Sequence, residues 1–234
     1  SALEGLPQTM LAQLAFPLLD DQVRAVRIEA ARVLAPVPVG KLQGESLKIY
    51  NRAASEYINS QQVNAERPEA QLNLGNYYAA KGEVDKAVAS YKKSISLEDV
   101  FVPAYINLAD LYRVQGEDSA AEVLLQSAIE IAPKNADAHY ALGLLKIRQK
   151  KNSKAIKLLQ HAADFDKSNA HYVYVYAIAL DSTGQKDVAI KVLQGANKRF
   201  PQDTNILEAL IAFHREAGNE FAAQTFMKKL QKLK

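Results

Sequence analysis

The four histidines are the residues of this chain best suited to acid–base catalysis or metal binding. They are His139, His161, His171 and His214, and no recurrent carboxylate stands three or four residues from them. Metal sites and catalytic pairs on helices usually need ligands at such spacings. The spacing therefore predicts packing or surface roles for the histidines, and we expect no metal at them.

Other catalytic motifs are missing from the sequence. It contains no glycine-rich phosphate loop after a strand, no HExxH and no GxSxG, and it has no cysteine. Nucleotide binding by such loops, thiolate chemistry and disulfides are thereby excluded. We expect no catalytic residue, no cofactor and no small-molecule substrate.

Composition is that of an ordinary globular protein. Of the 234 residues, 48% are hydrophobic and 24% are charged, and the formal net charge is +3. That charge is too small for the whole chain to be attracted to a polyanion. The longest apolar run, residues 172–180, is far shorter than the roughly 18 residues of a membrane-spanning helix.

A repeat with a constant step runs through most of the chain. Small residues recur with this step at Ala87, Ala121, Ala155, Ala189 and Ala223. Large residues recur at Leu74, Leu108, Leu142, Tyr176 and Leu210, and again at Tyr91, Leu125, Leu159, Leu193 and Met227. Turn-forming glycines recur at Gly82, Gly116, Gly184 and Gly218. A fixed period of about 34 residues, as here, is typical of stacked repeat proteins.

Between these rows, apolar residues are three and four positions apart, which is typical of amphipathic helices. Each period therefore predicts two helices, and the glycine ends the first of them in a left-handed conformation. We place five units at residues 68–101, 102–135, 136–169, 170–203 and 204–234. The predicted fold class is an all-α, right-handed solenoid of stacked helix-turn-helix repeats.

The pattern resembles the tetratricopeptide repeat family. Ala87-Val-Ala-Ser-Tyr91 and Ala121-Glu-Val-Leu-Leu125 are two of the matching stretches. The resemblance implies a non-catalytic scaffold whose partner is a protein or peptide. Lys150 departs from the pattern by occupying a glycine position. Residues 171–176 alternate like a strand, but the repeat register predicts a helix there.

Residues 1–67 differ from these units. Ala53 and Tyr57 precede Ala87 and Tyr91 by one full period, so residues 41–67 predict a degenerate half-unit that caps the array. Residues 1–40 resemble a HEAT-type hairpin followed by a linker, because an acidic turn precedes a Val-Arg pair. Its first helix is expected over residues 11–19, shortened or bent by Pro17, and residues 35–40 form the linker.

A HEAT-like hairpin that runs into tetratricopeptide units is similar to the C-terminal portion of bacterial periplasmic multihaem cytochrome c polypeptides. This resemblance implies a non-catalytic module of a larger periplasmic protein, in which it arranges a catalytic domain. The alternative is a free-standing adaptor, and its expected location is the cytoplasm.

The first helices of such a stack line a groove that we expect to bind the partner. The predicted groove residues are Asn76, Ile106, Asn107, Asp110, Arg113, Tyr140, Leu144, Arg148, Tyr174 and Ile178. Some family members grip a C-terminal carboxylate, and Asn76 and Asn107 match their asparagines. Leu72, Asp137 and Ala141 stand where the basic residues of that clamp should be, which favours a more apolar ligand.

Two further surfaces are predicted. A basic patch consists of Lys146, Lys150, Lys151, Lys154 and Lys157, within a stretch from residue 138 to 163 that has no acidic residue. It could bind an anionic partner or nucleic acid, although a solvated basic face is the commoner explanation. Leu230 and Leu233, on the last helix, predict a C-terminal edge through which the chain could form a homodimer.

Overall fold

A computed structural model describes residues 7–38, 40 and 42–233. All regular elements in this part of the chain are helical. The chain forms two compact units, Ser1–Gly116 and Glu117–Lys234. The division falls inside the sequence unit placed at residues 102–135.

The Ser1–Gly116 unit contains six α-helices and one short 3-10 helix within its described residues. They are α1 (Gln8–Ala15), the 3-10 helix (Phe16–Asp20), α2 (Arg24–Val33), α3 (Gly44–Gln62), α4 (Pro68–Ala80), α5 (Val84–Leu97) and α6 (Val102–Gln115). The interruption after Ala15 is the shortening expected at Pro17, whose ring cannot sit inside an α-helix. Tyr50, Tyr57 and Tyr77 are buried at the core of this unit.

The Glu117–Lys234 unit contains seven helices within its described residues. They are α7 (Asp118–Ile131), α8 (Ala136–Arg148), α9 (Asn152–Phe165), α10 (Ala170–Asp181), α11 (Lys186–Arg199), α12 (Thr204–Glu216) and α13 (Glu220–Gln231). Successive helices pack against each other from α7 to α13. Residues 171–176 lie within α10, so the helix predicted from the register is confirmed despite the strand-like alternation.

The repeated alanines explain the close packing of the hairpins. Ala87, Ala121, Ala155, Ala189 and Ala223 all have 0% exposure. Opposite this row the helices carry glycine at two places, Gly75 and Gly143. A Cβ on Gly75 would lie 2.4 Å from the ring of Tyr91, and one on Gly143 would lie 2.9 Å from Leu159. Small residues let the helix axes approach while larger neighbours interdigitate.

The turns between paired helices share one backbone conformation. The glycines at these turns have φ angles of 73° at Gly82, 84° at Gly116, 80° at Gly184 and 73° at Gly218. Lys150 has a φ of 58°, so it takes the same left-handed conformation without being glycine. Asparagine or aspartate side chains cap the N-termini of α8, α10, α12 and α13. At α8, for example, Asn135 accepts a hydrogen bond from the backbone N–H of Ala138 at 2.9 Å.

Candidate functional site

The predicted groove residues all lie on the first helices of their hairpins, and they fall into two sets of five. Asn76 on α4 and Ile106, Asn107, Asp110 and Arg113 on α6 belong to the Ser1–Gly116 unit. Tyr140, Leu144 and Arg148 on α8 and Tyr174 and Ile178 on α10 belong to the Glu117–Lys234 unit. Each set therefore forms a surface of its own unit.

The surface of the first unit is organised around two side-chain amides. Asn76 Oδ1 accepts hydrogen bonds from Asn107 Nδ2 at 2.7 Å and from the Tyr91 hydroxyl at 2.9 Å. Burial raises the pKa of Tyr91 to about 12, with a smaller contribution from Asp110, so this hydroxyl stays protonated and donates. We call Asn76, Tyr91, Asn107 and Asp110 the amide surface.

The amide surface borders a cavity of about 400 Å³, which Ala79, Leu111 and Val114 also line. With its oxygen engaged twice, the Asn76 amide is held in one orientation. Within the described residues neither Asn76 Nδ2 nor Asn107 Oδ1 has a hydrogen-bond partner. Asn76 Nδ2 can therefore donate to the C=O of a bound peptide group, and Asn107 Oδ1 can accept from its N–H.

The other two predicted residues of this unit lie outside that cavity. Arg113 pairs with Asp110 at 2.6 Å, one helical turn away. Ile106 is half-buried on α6. Among the predicted residues of this unit, the cavity thus brings together Asn76, Asn107 and Asp110.

In the second unit an aromatic cluster covers α8 and α10. The Tyr140 hydroxyl lies 2.8 Å from His171 Nε2, and the Tyr140 ring centroid is 4.9 Å from that of Tyr172. The His171 and Tyr174 rings stack with centroids 6.4 Å apart, and the Tyr172 hydroxyl donates to Asp137. We call Tyr140, His171, Tyr172 and Tyr174 the aromatic surface.

The remaining predicted residues of this unit differ in exposure and in their contacts. Ile178 is exposed and Leu144 is half-buried. Arg148 pairs with Asp118 of α7 at 2.9 Å, so its guanidinium already has a carboxylate partner. Ile178 and Leu144 extend the apolar face of the cluster.

The structure changes the composition of the basic patch. Lys146 is only 4% exposed, and its ammonium group bonds to Glu122 and to Gln149 Oε1. Hydrogen bonds to Glu122, that of Lys146 first and then that of Gln149, lower the pKa of this carboxyl. Including Lys146 in an exposed patch was therefore wrong, because a carboxylate on α7 neutralises it. Lys150, Lys151, Lys154 and Lys157 are exposed and remain a predicted patch of four.

Three of the four histidines pack against other rings, and the exposed His171 belongs to the aromatic surface. His139 is buried, its Nε2 lies 2.9 Å from the Pro133 carbonyl oxygen, and its ring meets those of His161 and Phe165 edge-on. His214 stacks on Phe226. The described residues contain no cluster of three or more histidine, aspartate or glutamate side chains that could hold a metal ion.

Tyr91, His171 and Tyr172 are site residues that the sequence did not indicate. Tyr91 stands in a row where three other units have leucine, and this substitution of a hydroxyl-bearing residue was the available signal. His171 and Tyr172 belong to the site because they contact Tyr140 across α8 and α10. The spacing of residues within one repeat unit does not predict such contacts between units.

The hairpins place the protein in the α-solenoid class of helical-repeat proteins. Family models of the tetratricopeptide repeat match residues 68–100 and 115–179. The chain therefore contains tetratricopeptide repeats, as its sequence predicts. No curated protein shows significant sequence similarity to it.

Several solved structures are similar to the chain. The crystal structure of MamA protein is 22% identical with a TM-score of 0.60, and the match covers 71% of this chain and 91% of that one. MamA 41-end from Desulfovibrio magneticus RS-1 is 16% identical with a TM-score of 0.59, covering 71% and 94% of the two chains. YrrB, described as a tetratricopeptide-repeat protein with an unusual peptide-binding site, is 19% identical with a TM-score of 0.56, covering 75% and 91%. These likenesses show the all-α, helical-repeat fold class.

None of the helices in the described part of the chain has the length and hydrophobicity needed to cross a bilayer.

Proposed function

We propose that the protein is a non-catalytic scaffold that binds a peptide segment of a partner protein on the amide surface. Tetratricopeptide repeats imply protein–protein interaction, and YrrB, of the same fold, is described as having a peptide-binding site. The observation that carries the proposal is the fixed orientation of Asn76. Its amide presents a donor beside the acceptor of Asn107, at the rim of a cavity of about 400 Å³.

A peptide group hydrogen-bonded to both amides would replace the water that solvates them. Hydrogen bonds to both amides would fix the direction and register of the bound segment, and its apolar side chains would supply most of the affinity. Leu111 and Val114 at the cavity provide an apolar wall for one side chain of the ligand. The ligand would thus be an extended segment with an aliphatic residue next to the clamped peptide group.

The aromatic surface is a second anchoring surface under this proposal. Tyrosine side chains provide large contact areas at small entropic cost, and they are enriched where binding energy concentrates. Tyr140 and Tyr174 lie on this face with the exposed Ile178 beside them. We expect Tyr140→Ala with Tyr174→Ala to weaken partner capture more than tenfold while leaving the helical content unchanged.

The amide surface can be tested without knowing the partner. Peptides of twelve residues are selected from a random library on the full chain, and their dissociation constants are measured for the wild type and for Asn76→Ala. We expect at least a tenfold loss of affinity, because Asn76→Ala removes both the Nδ2 donor and the oxygen that holds the Asn107 amide in place. Asn51→Ala, an exposed asparagine on α3, is the matched control and should bind as the wild type does. Selected peptides that bind Asn76→Ala and Asn107→Ala without loss would refute the proposal.

A further inference from the structure

The Glu117–Lys234 unit has another concave feature on the side of α10 away from Tyr174. Tyr176 follows Tyr174 by two positions, and because helical residues advance by about 100° each, the two rings leave α10 on nearly opposite sides. Tyr176 lies at the floor of a groove of about 440 Å³ between α9 and α11. We call it the α9–α11 groove, and Ala163, Val173 and Ala196 complete its floor.

Gly195 leaves this groove open along α11. It lies inside the helix, and a Cβ added there would meet no atom within 4 Å. Glycine in a helix interior costs about 1 kcal/mol relative to alanine, and no close contact requires it here. The corresponding positions of neighbouring units carry His161 and Lys229, so the gap belongs to this one groove.

Tyr176 adds a polar group to the apolar floor. The other four units have leucine in this row, at Leu74, Leu108, Leu142 and Leu210. The hydroxyl of Tyr176 has no hydrogen-bond partner among the described residues, although the side chain is half-buried. Burial, and then the charge of Asp164, raises the pKa of Tyr176. The hydroxyl is therefore a proton donor at neutral pH.

The rim of the groove is mainly cationic. Lys167, Lys191 and Arg199 face it, against the single carboxylate of Asp164. No ion pair between described residues involves these four side chains. Lys191, Gly195 and Arg199 are spaced by four along one stripe of α11, and eight residues at 1.5 Å each span about 12 Å. The opening is thus elongated, positively charged at both ends and empty of side chain at its middle.

We propose that the α9–α11 groove binds a short, extended acidic peptide segment with one aliphatic side chain seated over Gly195. An extended chain advances about 3.3 Å per residue, so about four residues span the stripe. Carboxylates flanking the aliphatic residue pair with Lys191 and Arg199, and the Tyr176 hydroxyl donates to a peptide carbonyl. Charge complementarity selects acidic partners, and the open space at Gly195, above the apolar floor, favours an aliphatic anchor.

The probe for this site is the fluorescein-labelled peptide Gly-Glu-Glu-Val-Glu-Glu-Gly, and its binding to the full chain is measured by fluorescence anisotropy. We expect Gly195→Leu to weaken binding at least tenfold, because the new side chain fills the groove. The variant retains its fold, since helix propensity favours leucine and the space is empty. Lys191→Glu should weaken binding by a similar factor.

Matched controls separate this site from general charge attraction and from the amide surface. Lys198→Glu makes the same charge change on an exposed residue of α11 that does not line the groove, and Asn76→Ala alters only the amide surface. Both should bind the probe as the wild type does, and replacing the valine of the probe by serine should reduce its affinity. Equal losses for Lys198→Glu and Lys191→Glu, or undiminished binding by Gly195→Leu, would overturn the proposal.

Discussion

Lys150 holds a left-handed backbone conformation that the other four turns of the same type give to glycine, with φ of 58°. A residue with a Cβ is strained by about 1 to 2 kcal/mol in this region. Replacing it by glycine removes the strain, but glycine also makes the unfolded chain more flexible, which offsets part of the stabilisation. We expect Lys150→Gly to stabilise the protein by about 0.5 to 1 kcal/mol in urea unfolding. The matched control is Lys151→Gly, where φ is −91°; an equal gain there would show that the left-handed turn is not the cause.

His139 gives the protein a pH-dependent stability. Burial lowers its pKa from 6.5, and the nearby His161 lowers it further, while the hydrogen bond to Pro133 acts in the opposite direction. His139 therefore binds a proton more readily in the unfolded chain than in the folded one. As a result, the free energy of unfolding falls as pH drops below about 6.5. His139→Gln should flatten this fall below about pH 6.5, whereas His171→Gln, on an exposed histidine, should keep it. Parallel pH profiles for wild type and His139→Gln would contradict the assignment.

At the scale of the helix pair, Gly75 sets the distance between α4 and α5. A Cβ there would lie 2.4 Å from ring carbons of Tyr91, so alanine must displace the ring whose hydroxyl orients Asn76. We expect Gly75→Ala to lower the free energy of unfolding by about 1 to 3 kcal/mol through overpacking, and to weaken peptide binding as well. Gly195→Ala, where the new Cβ meets no atom, should instead add about 1 kcal/mol. If both variants gained stability, close approach would not be the reason for Gly75.

The repeat period predicted the helices and their buried rows, because the spacing of apolar residues decides which face of a helix is buried. The alanine row, with 0% exposure throughout, and the helix over residues 171–176 are examples. Pairing between different helices could not be read in the same way. Lys146 is buried, and Glu122 and Gln149 bond to its ammonium group. The sequence placed it in a basic patch because residues 138–163 contain no acidic residue, whereas Glu122 lies on a different helix. The orientation of Asn76 likewise depends on Tyr91 and Asn107 together.

At the scale of the whole molecule, one repeated interior supports surfaces of different chemistry. Both compact units use the same buried alanines and left-handed turns, so these positions are committed to packing. The amide surface and the α9–α11 groove each include one tyrosine that replaces a leucine of a repeated row, Tyr91 and Tyr176, together with residues outside the repeated rows. A helical-repeat scaffold can thus present several binding surfaces without changing its core.

The repeat architecture also predicts that stability varies along the Glu117–Lys234 unit. Helix α10 packs against α9, α11 and α12 and buries five residues, whereas α13 packs against α12 and buries only Ala223. Helices with few buried contacts open locally without unfolding their neighbours. We expect amides of α13 to exchange with deuterium at least about a hundredfold faster than those of α10, with α12 protected nearly as well as α10. Equal protection of α13 and α10 would mean that α13 opens only when the whole unit unfolds. The prediction that stability varies along the unit would then be wrong.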